Sequence, residues 1–234
     1  MATEVFEMAK TKSAKSQNGR ISSEQITSAA MESNSTLKLK PIMRKKVSLR
    51  IVGRSPLIQH QWSEKALKMM RDKHAGKKTK TRDVRDPHAE GMAAMYTTDK
   101  GKPGVPAMAI KSALLTAAHK DIGIAREIVK KAIFIDCSDS KLVIEMDCDE
   151  PVIKEDPVRV GNGAADLRYR PYFHRWAVNV TWEIDASWLQ VEDLINLVNR
   201  AGFGVGIGEW RPENGGEYGR FEVDATHPVG VVDL

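Results

Sequence analysis

The chain has 234 residues, 41% of them hydrophobic, and 36 Lys or Arg against 31 Asp or Glu give a formal net charge of +5 and a pI of about 9.1. That is enough apolar material for one good core with appended segments, and the basic balance favours an anionic partner without naming it. Cys137 and Cys148 form no Cys-x-x-Cys pair, so nothing supports a zinc knuckle or a disulfide framework; no stretch approaches the roughly 18 apolar residues of a membrane span, and the first twenty residues lack the apolar run of a signal peptide, which gives the expectation of a cytoplasmic protein.

Residues 1 to about 44 are rich in Ser, Thr, Lys, Asn and Gln and poor in large apolar side chains, the composition of a flexible basic and polar arm. The folded domain is expected over 45–234. It opens at 46-KVSLRIVGRSPLIQH, where Val47, Leu49 and Ile51 alternate with polar residues as in a half-buried strand. A short helix is predicted over 63–74, with Ser63 as its cap. From Lys65 to Arg85 there are nine Lys or Arg and two Asp, the pattern of an exposed basic insertion. A short helix follows at 90-EGMAAMYTTDKG. A longer one follows at 105-VPAMAIKSALLTAAHKDIG, with Pro106 at its start and Met108, Leu114, Leu115 and Ala118 on or near one face.

Strands are expected at 132-AIFID and 141-KLVIEMD, separated by a Ser-Asp-Ser turn, and an extended hairpin over about 151–174. The strand 176-WAVNVTWEID leads to a last helix with Val191, Leu194, Ile195 and Val198 at helical spacing and Gly202 available to end it. Then comes 202-GFGVGIGEWRPENGGEYG, a glycine-rich loop, and a last strand with Tyr218, Phe221 and Val223. Glycines of this density let backbone amides approach a ligand. A dinucleotide fingerprint needs strand, glycines and then helix, and a P-loop needs Gly-Lys-Ser/Thr; this loop runs from helix to strand without Gly-Lys, so neither reading holds and no cofactor is expected.

Without the insertions at about 60–104 and 147–174, the order is strand, helix, strand, strand, helix, strand, the α+β ferredoxin-like (RRM-like) arrangement. The residues Gly204, Gly206, Gly208, Trp210, Arg211, Gly215, Gly216, Gly219 and Arg220, lying between the last helix and the last strand, resemble the glycine-rich loop of the RAMP superfamily, the ferredoxin-like RNA-binding proteins of CRISPR systems. A second stretch, 105-VPAMAIKSALLTAAHK, is similar to a helix start common in that superfamily, with Ala109 where Ser is usual and Thr116 or Ala117 where Arg is usual. The layout with two insertions is similar to the backbone subunits of multisubunit CRISPR effectors. A phage or mobile-element relative that binds single strands outside such a complex fits the same residues.

The resemblance implies a non-catalytic protein that binds single-stranded nucleic acid, RNA before DNA, and assembles into a filament or ring, with other effector subunits as further partners. Such a ligand is held by cations along its phosphates and by aromatic or guanidinium faces on its bases. The residues offered for this are the glycine loop with Trp210, Arg211 and Arg220; Arg168, Tyr169, Arg170, Tyr172 and Arg175 of the hairpin; and Lys77, Lys78, Lys80, Arg82 and Arg85 of the insertion. Two other readings stand beside it. One is a RAMP-like endoribonuclease with His60 as acid or base; the other is an assembly subunit with no nucleic-acid contact. His74 and His88 with Asp83 and Asp86 match no familiar metal spacing, so no metal is expected.

Overall fold

The computed structural model describes residues 41–77, 85–160 and 163–234. The arm expected over 1–44 falls outside them except for its last four residues, as do Lys78, Lys80 and Arg82. β1 spans Arg44–Gly53, and Met43 before it already exchanges hydrogen bonds with the Asp185 carboxylate and the Ala186 amide. Residues 42–234 form one compact α+β unit with two antiparallel sheets.

The strands are β1, β2 (Leu57–Ile58), β3 (Gly104–Pro106), β4 (Ile133–Asp136), β5 (Val143–Cys148), β6 (Val152–Val160), β7 (Ala164–Phe173), β8 (Trp176–Asp185), β9 (Phe221–Val223) and β10 (Gly230–Asp233). The helices are α1 (Glu64–His74), α2 (Pro87–Ala93), α3 (Ala107–Asp121), α4 (Arg126–Ala132) and α5 (Val191–Arg200). In the main sheet β1 and β8 pair over nine residues at the centre. On the far side of β8, β4 pairs with residues 181–184 and β5 with 176–178. On the far side of β1, β9 pairs with 51–53 and β10 with 45–48. Each outer position is therefore one line of chain interrupted midway. The Ser-Asp-Ser turn expected between β4 and β5 does not reverse direction; it offsets two pieces of one edge.

Strict alternation puts Val47, Leu49, Ile51, Val178, Val180, Trp182 and Ile184 on one face, where α3 and α5 cover them with Ile110, Leu114, Leu194 and Val198. The opposite face is polar. There Lys46 pairs with Asp136, and Arg50 with Asp147 and Asp224, while Ser48 bonds Thr181. The second sheet, β2–β7–β6, is the expected hairpin with β2 added to its edge, and α2 packs on it where Gly91 leaves space for Ile153.

Several local expectations changed. Ser63 caps α1 as read, its Oγ accepting from Ala66 N–H. The second helix starts at Pro87, earlier than position 90, because Asp86 accepts from the amides of His88 and Ala89. Met108 is 56% exposed, not on the apolar face, and α4 and β10 had no strong pattern to reveal them. Gly202 does not stop the last helix: the chain continues through a π-turn over Ala201–Val205 and leaves it at Gly206, whose φ of 69° is the left-handed exit.

Leu194→Ala is expected to cost about 2–5 kcal/mol in urea unfolding, because Leu194 is fully buried between the sheet and α3. Val232→Ser, at an exposed position of β10, should change stability by no more than about 0.5 kcal/mol.

Candidate nucleic-acid interface

The short stretch from Arg54 to Gln61 joins all parts of the molecule. Its start binds the end of the glycine loop: Arg54 N–H donates to Arg220 O, Gly219 N–H to Pro56 O, and Arg220 N–H to Ser55 Oγ. Ile58 O accepts from Glu209 N–H, and Trp176 Nε1 donates to Ser55 O. Further along, Gln59 is buried and bonded at both ends of its side-chain amide, donating to Gly104 O and accepting from Tyr96 N–H. Gln61 N–H then bonds Ala94 O at the end of α2.

Close backbone packing, within the loop itself and, at Gly208, against this stretch, explains most of the glycines. A Cβ on Gly202 would strike Phe221 O, one on Gly216 Trp210 O, one on Gly219 Ile207 O, and one on Gly208 Ile58 O. Many of the loop's amides are also bound internally, those of Gly206, Ile207, Glu209, Gly215, Gly216, Tyr218, Gly219 and Arg220 among them. The amides of Gly208, Trp210 and Arg211 have no acceptor among the described residues. Trp210 sits at a φ of 54°, strained for a side chain of its size, and stays half exposed.

Two adjoining hollows flank this junction, and His60 lines both. The larger, of about 440 Å³, lies among α1, α2 and β7 and includes Trp62, Met69, Arg168 and Tyr169. The smaller, of about 190 Å³, lies between the start of α3 and the glycine loop and includes Gln59, Gly208, Glu209 and Arg211. Between them stands Arg170, 7% exposed, with Nη1 3.3 Å from Asp156, Nη2 3.6 Å from Glu209, and Nε donating to His60 Nδ1 at 3.4 Å. Burial first, and then the Arg170 charge, push the His60 pKa below its usual value. With Nδ1 accepting, the neutral ring carries its proton on Nε2 and offers a donor there.

The sequence-predicted residues divide accordingly. His60, Gly208, Arg211, Arg168 and Tyr169 come together around the two hollows. Arg170 is the buried ion-pair partner at their centre. Arg211 is held by Glu213 and by Gly208 O, and Arg220 lies over the exposed Phe203 ring with its guanidinium 5.0 Å from the centroid. Tyr172 packs edge-on against Tyr218 and His174, with Lys154 over the first two rings. Arg175 points elsewhere and pairs with Asp149, and Lys77 pairs with Asp72 at the exposed end of α1. Gly204 and Gly215 border open space, Gly204 nearest Asp121. Trp62 and Met69 are the additions that sequence reasoning missed. Among the described residues no group of three or more His, Cys, Asp or Glu is placed to hold a metal, and no helix is long and apolar enough to cross a membrane.

Charge is unevenly distributed. Residues 1–85 carry 20 Lys or Arg against seven Asp or Glu, whereas residues 86–234 carry 16 against 24. The basic surplus thus belongs to the N-terminal part and the insertion, and much of the later basic content is tied in ion pairs such as Arg168–Asp166 and Arg175–Asp149.

No protein-family model matches the chain, and no curated protein matches it. Among solved structures, the crystal structure of Cmr6 from Pyrococcus furiosus aligns with a TM-score of 0.41 at 10% identity, covering 78% of this chain and 98% of that one. A likeness of that size fixes neither fold nor function.

Gly219→Ala should prevent folding or cost more than about 3 kcal/mol, since its Cβ meets backbone at a φ of 67°; Gly215→Ala, with φ 78° but open space, should cost about 1 kcal/mol, both read by denaturant unfolding. His60 generates a pH prediction. Its folded pKa lies below the unfolded 6.5, so the unfolded chain binds the extra proton first and stability falls as pH drops through about 6.5. His60→Gln should flatten the decline in melting temperature between pH 7.5 and 5.5.

Proposed function

We propose that the protein is a non-catalytic binder of single-stranded nucleic acid that self-associates along its ligand. The observation that carries this reading is the convergence, at one junction, of basic and aromatic groups from three segments distant in sequence: His60, Arg168 with Tyr169, and Gly208 with Arg211. Guanidinium and aromatic faces beside amides without internal acceptors are what a phosphate-and-base ligand needs. The strand order β9–β1–β8–β4/β5, with α3 and α5 on one face, supports reading the core as ferredoxin-like, and a glycine loop between its last helix and last strand supports the RAMP-like reading. The preference for RNA, the filament and any effector partners rest on that resemblance.

The polar face of the main sheet argues for the junction as the contact. In RRM-type proteins bases stack on sheet aromatics, whereas here that face holds the Lys46–Asp136 and Arg50–Asp147 pairs. Catalysis by His60 has little support. Its Nδ1 is engaged by Arg170 and its Nε2 carries the proton, so it is a poor general base, and its lowered pKa makes it a scarce acid at neutral pH.

Fluorescence anisotropy with labelled single-stranded RNA and DNA across a salt series tests the reading. The wild-type protein should bind with strong salt dependence. The double variant Arg168→Ala, Arg211→Ala should bind about tenfold or more weakly, with the slope of log K against log salt reduced by about 1.4 if each arginine neutralises one phosphate. No binding by the wild type at low salt overturns it.

A further inference from the structure

The larger hollow holds an arrangement that phosphate contact does not explain. Its volume of about 440 Å³ falls within the range of roughly 300–1,000 Å³ typical of small-ligand sites. Trp62, in the stretch just before the Ser63 cap, is 58% exposed, and the half-exposed Met69 follows two turns along α1. Tyr169 lines the same hollow from β7. Its ring is held by Arg85, whose guanidinium lies 5.2 Å from the ring centroid and is itself fixed by Glu90, Asp166 and Leu167 O. Arg85 thus ties the start of α2 to β7 and keeps the tyrosine in place.

Polar groups complement these apolar faces. Arg168 lines the hollow with its side chain 32% exposed and its guanidinium beside Asp166, Nε lying 3.0 Å from Oδ2. His60 supplies a neutral ring with a donor on Nε2. The carboxylates at the rim are engaged: Asp86 caps α2, and Glu90 holds Arg85.

We infer that this hollow takes one nucleobase of a single strand, unstacked from its neighbours and laid against Trp62 and Tyr169, with Arg168 and His60 donating to its polar edge. The inference rests on the proposed single-strand binding and adds a base-reading site to it. An apolar peptide side chain would use the aromatic faces but leave the donors unused.

The test compares a labelled single-stranded oligonucleotide with one of identical length and phosphate count whose sugars lack bases, against the full-length protein, Trp62→Ala and Trp62→Phe. Trp62 is exposed, so both variants should fold, which an unchanged melting temperature verifies. Wild type should bind the base-bearing strand at least about tenfold more tightly than the abasic one, within the effect of one stacked base. Trp62→Ala should abolish that difference and Trp62→Phe keep most of it. If wild type binds both strands equally well, the base site is overturned while phosphate binding stands. If the preference survives Trp62→Ala, the bases are read elsewhere and this site is again overturned. Failure of both strands to bind overturns the single-strand reading as well.

Discussion

Everything in this molecule hangs on the stretch from Arg54 to Gln61 being gripped from every side. Its backbone takes the glycine loop through Pro56 O and Ile58 O, the hairpin through the pairing of Leu57 and Ile58 with β7, and the insertion through Gln59 and Gln61. These bonds need backbone against backbone: glycine at 208 allows the approach to Ile58 O, and glycine at 219 the loop's own approach to Ile207 O. Density of glycine here is first a packing requirement, and the amides of Gly208, Trp210 and Arg211, without an acceptor among the described residues, are what remains once that requirement is met.

The same grip sets the electrostatics of the junction. Arg170 sits among Asp156, Glu209 and His60 with almost no solvent, so its charge must be matched by neighbours rather than by water. Burial first, and then the arginine's charge, favour the neutral form of His60, and the contact from Arg170 Nε to Nδ1 fixes which nitrogen bears the proton. One buried ion pair therefore shapes the chemical character of two adjoining hollows, and it does so through a side chain on the hairpin acting on His60, four residues before α1 begins at Glu64.

How much of this was legible follows from the kind of signal each element carries. β1, β8 and α5 were readable because their apolar residues recur with a clean period, Val47, Leu49 and Ile51 in one case, Leu194 and Val198 in another, whereas α3, buried continuously from Ala113 to Ala118, was readable as a long run of helix formers after Pro106. α4 buries only Val129 and Ala132 over seven residues, too short a pattern to register, and β10 is exposed along its whole length, so no alternation marks it. The extension past Gly202 was hidden because glycine is read as a stop, whereas here it was chosen for its lack of a side chain against Phe221. At the site, Arg168 and Tyr169 stood out by type and clustering. Trp62 did not, since a single indole among polar residues has no period, and the carboxylates that occupy Arg170 are remote in sequence and visible only once the chain is folded.

The two interrupted outer lines of the main sheet have a bearing on how copies of the chain can meet. An unbroken edge strand is an open template for another chain, and proteins blunt it by shortening or bending. On one side β9 and β10 offer three and four residues separated by a bend at Asp224; on the other, β4 ends before β5 begins, with β3 covering part of β5. Assembly by strand addition would thus gain only a few backbone bonds at a time, which favours contacts through side chains and loops, a geometry that can be tuned or released without unravelling the sheet.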